Sequence, residues 1–149
     1  MSIAVIYTDL DGTLLDHHTY SFEEALETVH ALRDRGVPIV PCTSKTRAET
    51  AELMHAAGLF GPMIVENGAA IWVPGDWGLS RPLAATGTSE AWCHSLGPSR
   101  GMIRRQLAIL SVEWGNRYQS LCDLSDKQVM AITGLDAESA ARSAWRKAT

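Results

Sequence analysis

The chain has 149 residues, 46% hydrophobic and 20% charged, a balance that suits one soluble globular domain, or one plus part of another, with a core that needs no disulfide or structural metal. Its net charge of −4 carries no compensating basic block, which argues against nucleic acid or an acidic membrane as partner. Cys42, Cys93 and Cys122 are odd in number without metal-ligand spacing, no charged leader precedes a signal-type segment, and no apolar run approaches the ~18 residues of a membrane span, so a reducing cytoplasm is expected.

Ile3 to Tyr7 (IAVIY) is short, apolar and partly β-branched, as a strand buried on both faces should be. The next segment, SFEEALETVHALRDRG, reads as a helix. Ser21 and Glu24 suit a capping box, Leu26, Val29 and Leu32 recur near helical spacing, and Gly36 supplies a stop. VPIVPCTS follows as a second strand, with Pro38 and Pro41 opposing a regular ladder. Thr46 and Glu49 offer a capping box to TRAETAELMHAAG, which Gly58 ends. PMIVENGAAIW is a third apolar run broken by the turn signal Asn67-Gly68.

After Trp72, VPGDWGLSRPLAATGT is rich in Gly and Pro and reads as a linker, a hairpin or both. Helical candidates follow. Ile103, Leu107 and Leu110 share a face, Ser125 with Gln128 can start a turn carrying Val129 and Ile132, and Asp136 can cap an Ala-rich segment through Trp145. A boundary near residue 70 divides the chain into residues 1–70 and 71–149. The alternation of strand and helix over the first 65 residues predicts an α/β fold built on a doubly wound parallel sheet. Ligands of such sheets lie beyond the carboxyl ends of the strands, where Asp9, Asp11, Thr43, Ser44, Glu66 and Asn67 all fall.

A strand-end carboxylate can attack phosphorus to give an aspartyl phosphate, and Mg²⁺ accepts oxygen ligands that offset the charge on the transferred group. In Asp-X-Asp both side chains project the same way from an extended backbone. Asp9 can then be the nucleophile, while Asp11 protonates the leaving oxygen and later activates water. Gly12 lets the chain turn, and Thr13 adds a hydroxyl and an amide near a bound phosphate. A solvated turn is the competing explanation for a bare Asp-X-Asp. His17, His18, Cys93 and His94 are not spaced as a zinc site, and the five Trp residues are scattered, as packing residues are.

The string YTDLDGTLLD resembles the first motif of the haloacid-dehalogenase-like phosphohydrolase superfamily. The resemblance implies Asp9 as nucleophile, Asp11 as acid/base, and a Mg²⁺ held by Asp9, the Asp11 carbonyl and a later acid. The superfamily's second motif is a strand-end Ser or Thr that binds the phosphoryl group, for which Thr43 and Ser44 both qualify. SKTRAE, VENGAAI and, later, TGLDAESAARSA are similar to the mannosyl-3-phosphoglycerate phosphatase family. That implies a small phosphorylated sugar-acid substrate and a cap inserted after the third core strand. Lys45 then binds an anionic substrate or sits in solvent, and Glu66 either lines the site beside Asn67 or is a strand-end surface acid. Arg100, Arg104 and Arg105 are cap candidates for carboxylate recognition or a solvated face.

Members of this family return from the cap to the core with further strands, a phosphate-facing Lys and a Gly-Asp motif. The chain stops at SAWRKAT, Gly75-Asp76 lies at the start of the cap, and Lys127 and Lys147 fall in cap-like helices. The expectation is therefore a partial fold with its C-terminal core part missing. A phosphatase acting on another sugar phosphate, or a non-catalytic remnant, stands as the alternative.

Overall fold

Two three-residue strands, β1 (Ile6–Thr8) and β2 (Ile39–Pro41), pair in parallel with register Ile6↔Ile39, Tyr7↔Val40 and Thr8↔Pro41 in the computed structural model, which describes residues 4–115, 117 and 119–143. The expected start at Ile3 lies outside the described residues. Prolines flank and end β2, and each has a carbonyl but no N–H to give. The ladder is accordingly extended by Ile6 N–H donating to Pro38 O at 2.9 Å and Cys42 N–H donating to Thr8 O at 2.7 Å.

Helix α1 (Glu23–Asp34) connects the two strands. The expected Ser21–Glu24 capping box does not form. Phe22 occupies the N-cap without a side-chain bond, and Ser21 Oγ accepts from Glu23 N–H at 3.1 Å. Packing explains the later start, because Phe22 is buried with Leu10, Leu15 and Ala57 while Leu26 and Leu53 close over them. At the other end Gly36, with φ +68°, turns the chain so that its N–H reaches Arg33 O at 2.8 Å. Helix α2 (Arg47–Ala56) carries the expected box: Thr46 N–H donates to Glu49 Oε2 at 2.7 Å and Glu49 N–H to Thr46 Oγ1 at 3.3 Å.

Strand β3 (Met63–Val65) joins the parallel pair through the bridge Cys42↔Ile64, giving the order β1-β2-β3. It also belongs to an antiparallel sheet, where it pairs with β4 (Ala70–Pro74) across the turn at Glu66–Gly68. The Gly/Pro-rich stretch becomes a loop and then a hairpin of β5 (Thr86–Gly87) and β6 (Ala91–Ser95), completing the order β3-β4-β6-β5. Val73, Ala85 and Trp92, with Ile71 and Trp77 against them, form one cluster, and Val65, Ala70 and Cys93, with Met63 and Trp72, form another. Along β4 consecutive side chains alternate between these clusters, as the period of a strand requires.

Beyond the sheet lie α3 (Arg100–Trp114), a 3-10 turn (Leu121–Asp123), α4 (Asp126–Thr133) and α5 (Ala137–Ser143). Ile103, Leu107 and Leu110 form a half-buried face on α3. Gln128 Oε1 accepts from Ser125 N–H at 2.9 Å, and Asp136 Oδ1 accepts from Ser139 N–H at 2.7 Å, so both expected helix starts are present. Trp145 and Lys147 lie outside the described residues. Among the described residues no helix is long and apolar enough to cross a membrane.

Candidate active site

Three strand ends meet at one open cleft of about 610 Å³ lined by Asp9, Asp11, Cys42, Thr43, Ser44, Ile64, Asn67 and Gly68. Parallel pairing brings them together, since residues that follow β1, β2 and β3 in the same direction must emerge on the same edge. Asp9 is exposed, and its Oδ1 accepts from Leu10 N–H at 2.8 Å. Asp11, half-buried, faces the ammonium of Lys45, whose Nζ lies 2.8 Å from Oδ1 and donates to Oδ2 at 3.0 Å. Oδ1 accepts no directed hydrogen bond among the described residues. The Lys45 ammonium thus offsets the charge of the Asp11 carboxylate.

The loop after β2 is fixed by its own backbone. Thr43 is only 4% exposed; its N–H donates to Ile64 O at 3.0 Å, and its Oγ1 accepts from Lys45 N–H at 3.2 Å. Ser44 is exposed and lines the cleft beside it. Asn67 N–H donates to Thr43 O at 3.1 Å and Glu66 N–H to Lys45 O at 2.9 Å, tying the loop after β3 to the loop after β2. Glu66 and Asn67 both take left-handed backbone, φ +53° and +58°, in which side chains other than Gly and Asn are disfavoured. Glu66 is 3% exposed, so it is not a surface acid: it is buried behind Asn67, with its own N–H bonded to Lys45 O, and does not itself line the cleft.

Gly12 and Thr13 stand apart. They line a second groove of about 600 Å³ between β1 and α1, with Leu14, Val29 and Leu32. Gly12 N–H donates to Leu15 O at 2.9 Å and Thr13 N–H to Leu10 O at 3.2 Å, which commits both amides to the turn. None of Arg100, Arg104 and Arg105 lines the cleft, and Arg104 pairs with Asp123 at 2.7 Å, both half-exposed.

Sequence reading missed Cys42, which follows β2 directly and sits beside the acids. Burial first, and the charge of Asp9 second, push its thiol above the ordinary 9.0, so it is protonated and unreactive at neutral pH. Sequence reading also missed Tyr20, over whose ring the Lys45 ammonium lies 5.7 Å from the centroid.

Tyr20 stands on a loop organised by one carboxylate. Asp16 Oδ1 accepts from His18 N–H at 3.0 Å, Thr19 N–H at 2.7 Å and Thr19 Oγ1 at 2.8 Å. Those bonds, the Thr19 amide first, hold the Asp16 carboxyl below its ordinary 3.8. A depressed folded-state value means that the loop's support is complete above 3.8 and is lost as pH falls through the lower folded value. We expect Asp16→Ala to speed amide exchange at His18 and Thr19 at pH 7, and wild type and variant to converge in strong acid. Amide exchange followed by NMR would measure it; equal rates at pH 7 would contradict the assignment.

No group of three or more His, Cys, Asp or Glu among the described residues could enclose a metal ion. The donors present are still of the right kind. Asp9 and Asp11 offer hard oxygen at the cleft, and Mg²⁺ is typically held by one or two carboxylates together with phosphate and water. They fit a shared site that phosphate completes.

The haloacid dehalogenase-like hydrolase family matches residues 6–87. A glucosyl-3-phosphoglycerate/mannosyl-3-phosphoglycerate phosphatase of Methanococcoides burtonii is 35% identical over 136 residues, covering 91% of this chain and 50% of that protein. One of the same name from Persephonella marina is 47% identical over 70 residues, covering 47% of this chain and 26% of its own length. The chain thus spans half, or about a quarter, of the relatives it matches. Among solved structures, a phosphatase of the haloalkanoate superfamily from Bacteroides thetaiotaomicron superposes with a TM-score of 0.56 at 20% identity, covering 91% of this chain and 48% of that one. A haloacid dehalogenase-like hydrolase from B. subtilis gives 0.50 at 19%, covering 94% and 49%. These likenesses show the same α/β fold, with the chain matching about half of each structure. The chain belongs to the haloacid dehalogenase-like hydrolase family.

Proposed function

We propose that this chain supplies the nucleophile and the acid/base of a Mg²⁺-dependent phosphatase that hydrolyses mannosyl-3-phosphoglycerate, or its glucosyl counterpart, to the glycosylglycerate. One observation carries the reading: Asp9 and Asp11 open onto the same cleft as Thr43, Ser44 and Asn67. The names of the two relatives supply the substrate class.

In the first step an Asp9 carboxylate oxygen bonds to phosphorus as the ester P–O bond breaks, and Asp11 gives its proton to the departing alkoxide. In the second, Asp11 takes a proton from water as the water oxygen bonds to phosphorus and the Asp9–phosphorus bond breaks, releasing inorganic phosphate. Thr43 and Ser44 supply hydroxyls to the phosphoryl oxygens, with Ser44 the more accessible. Lys45, Glu66 and Asn67 shape the substrate side of the cleft. Asp9 and the Asp11 carbonyl would hold Mg²⁺, which would supply charge neutralisation for the transferred group. Gly12 and Thr13 serve through the turn that presents the acids. Residues 1–70 act as core and 71–149 as cap, in a cytoplasmic setting that suits the free thiols of Cys42 and Cys93.

The test is phosphate release by the purified 149-residue chain from mannosyl-3-phosphoglycerate with Mg²⁺. Release should be abolished by excess EDTA and restored by added Mg²⁺. A panel of other sugar phosphates turned over more efficiently would shift the substrate within the same chemistry. Release indistinguishable from buffer on every ester would favour the non-catalytic alternative.

A further inference from the structure

Tyr20 is an aromatic residue in a conformation that aromatic residues avoid. Its φ of +54° puts it, with Glu66 and Asn67, among the described non-glycine residues with left-handed backbone, and a bulky side chain there is a genuine outlier. The loop imposes it. Asp16 N–H donates to Ser21 O at 2.9 Å and Tyr20 N–H to Asp16 O at 3.0 Å, while the Asp16 carboxylate gathers three donors from His18 and Thr19. The structure therefore holds a disfavoured backbone at a residue that is 57% exposed, and strain of this kind clusters at ligand clamps.

The ring faces the active edge. Lys45 Nζ lies 5.7 Å from its centroid and 2.8 Å from Asp11 Oδ1, so one ammonium links the aromatic face to the acid/base residue. The cleft lining, which Tyr20 borders through Lys45, is small or polar apart from Ile64. It suits a phosphoryl group but offers no broad apolar surface to the organic part of an ester. Tyr20 provides that surface with a rigid, amphipathic side chain that costs little entropy to order.

We infer that Tyr20 is a specificity-determining residue whose ring packs against the glycosyl part of the phosphate ester, at a distance from Asp11 set by Lys45. The inference rests on the phosphatase reading above and adds the residue that distinguishes the glycosylated substrate from its bare acid.

The experiment is calorimetric titration of the Asp9→Asn chain, which leaves the ester intact, in excess Mg²⁺ with mannosyl-3-phosphoglycerate, 3-phosphoglycerate and inorganic phosphate. The mannosyl ester should bind more tightly than 3-phosphoglycerate. Adding Tyr20→Ala should cut that preference about tenfold with 3-phosphoglycerate binding unchanged, and Tyr20→Phe should keep it. A preference that survives Tyr20→Ala overturns the inference, as does a parallel loss for both ligands, which is the mark of a merely structural role. If all three anions bind without preference for the mannosyl ester, Tyr20 fails alone. If none binds, the phosphatase reading fails and the role of Tyr20 with it.

Discussion

Asp9→Asn should reduce phosphate release from mannosyl-3-phosphoglycerate by on the order of 10³-fold or more, because the carboxamide cannot form the proposed aspartyl phosphate. The fold should not notice the change. Asp9 is exposed and its carboxylate holds one described hydrogen bond, from Leu10 N–H at 2.8 Å, which an Asn Oδ1 can also accept. The thermal midpoint should stay within a degree or two, since neutral surface changes cost about half a kcal/mol or less. Acid-quenched protein should carry labelled phosphate in the wild type and none in the variant. Undiminished turnover by Asp9→Asn would end the nucleophile assignment, whatever the stability data show.

The largest effect on stability is expected far from the acids, at Gly75→Ala. A Cβ built there would lie 1.6 Å from the carbonyl oxygen of Ser89 and 2.7 Å from its carbon. Both are main-chain atoms that cannot swing aside, and Gly75 N–H already donates to Glu90 O at 2.8 Å. The two backbones must separate, breaking the close end of the β4–β6 pairing, at a cost of about 3 kcal/mol or more. Gly36→Ala is the control. Nothing lies within 4 Å of its Cβ position, but φ is +68°, so strain alone should cost about 1 kcal/mol. Thermal unfolding monitored by circular dichroism would rank them, and a Gly75→Ala midpoint equal to or above that of Gly36→Ala would refute the steric argument.

The elements read most easily from sequence were those in which local chemistry and packing agree. The Thr46–Glu49 and Ser125–Gln128 helix starts, the Asp136 cap and the turn after β3 each follow from side chains acting on their own backbone. Where packing opposed a local preference, packing won: burial of Phe22 displaced the Ser21–Glu24 box. Strand β6, AWCHS, was invisible because Ala, Cys, His and Ser carry little β signature. Its partners across β4 and β5 hold it in place.

The cleft divides along the same line. Asp9, Asp11, Thr43, Ser44 and Asn67 were legible because strand ends can be counted. The placement of Gly12 and Thr13 on the α1 side depends on which way a four-residue turn closes. Lys45 reaching Asp11, 34 positions away in the chain, and the ring of Tyr20 beside it are tertiary facts with no local signal.

Strand β3 serves two ladders at once, parallel towards β2 and antiparallel towards β4, and the short bend at Glu66–Gly68 is the hinge-pin between them. A one-residue deletion there would transpose every β4 side chain to the opposite face, exchanging Trp72 with Val73 between their clusters, and would drag Asn67 off the cleft wall in the same stroke. Length at this bend is consequently a stricter heritable constraint than residue identity, whereas the exposed residues 78–84 between β4 and β5 are the natural place for insertions to accumulate.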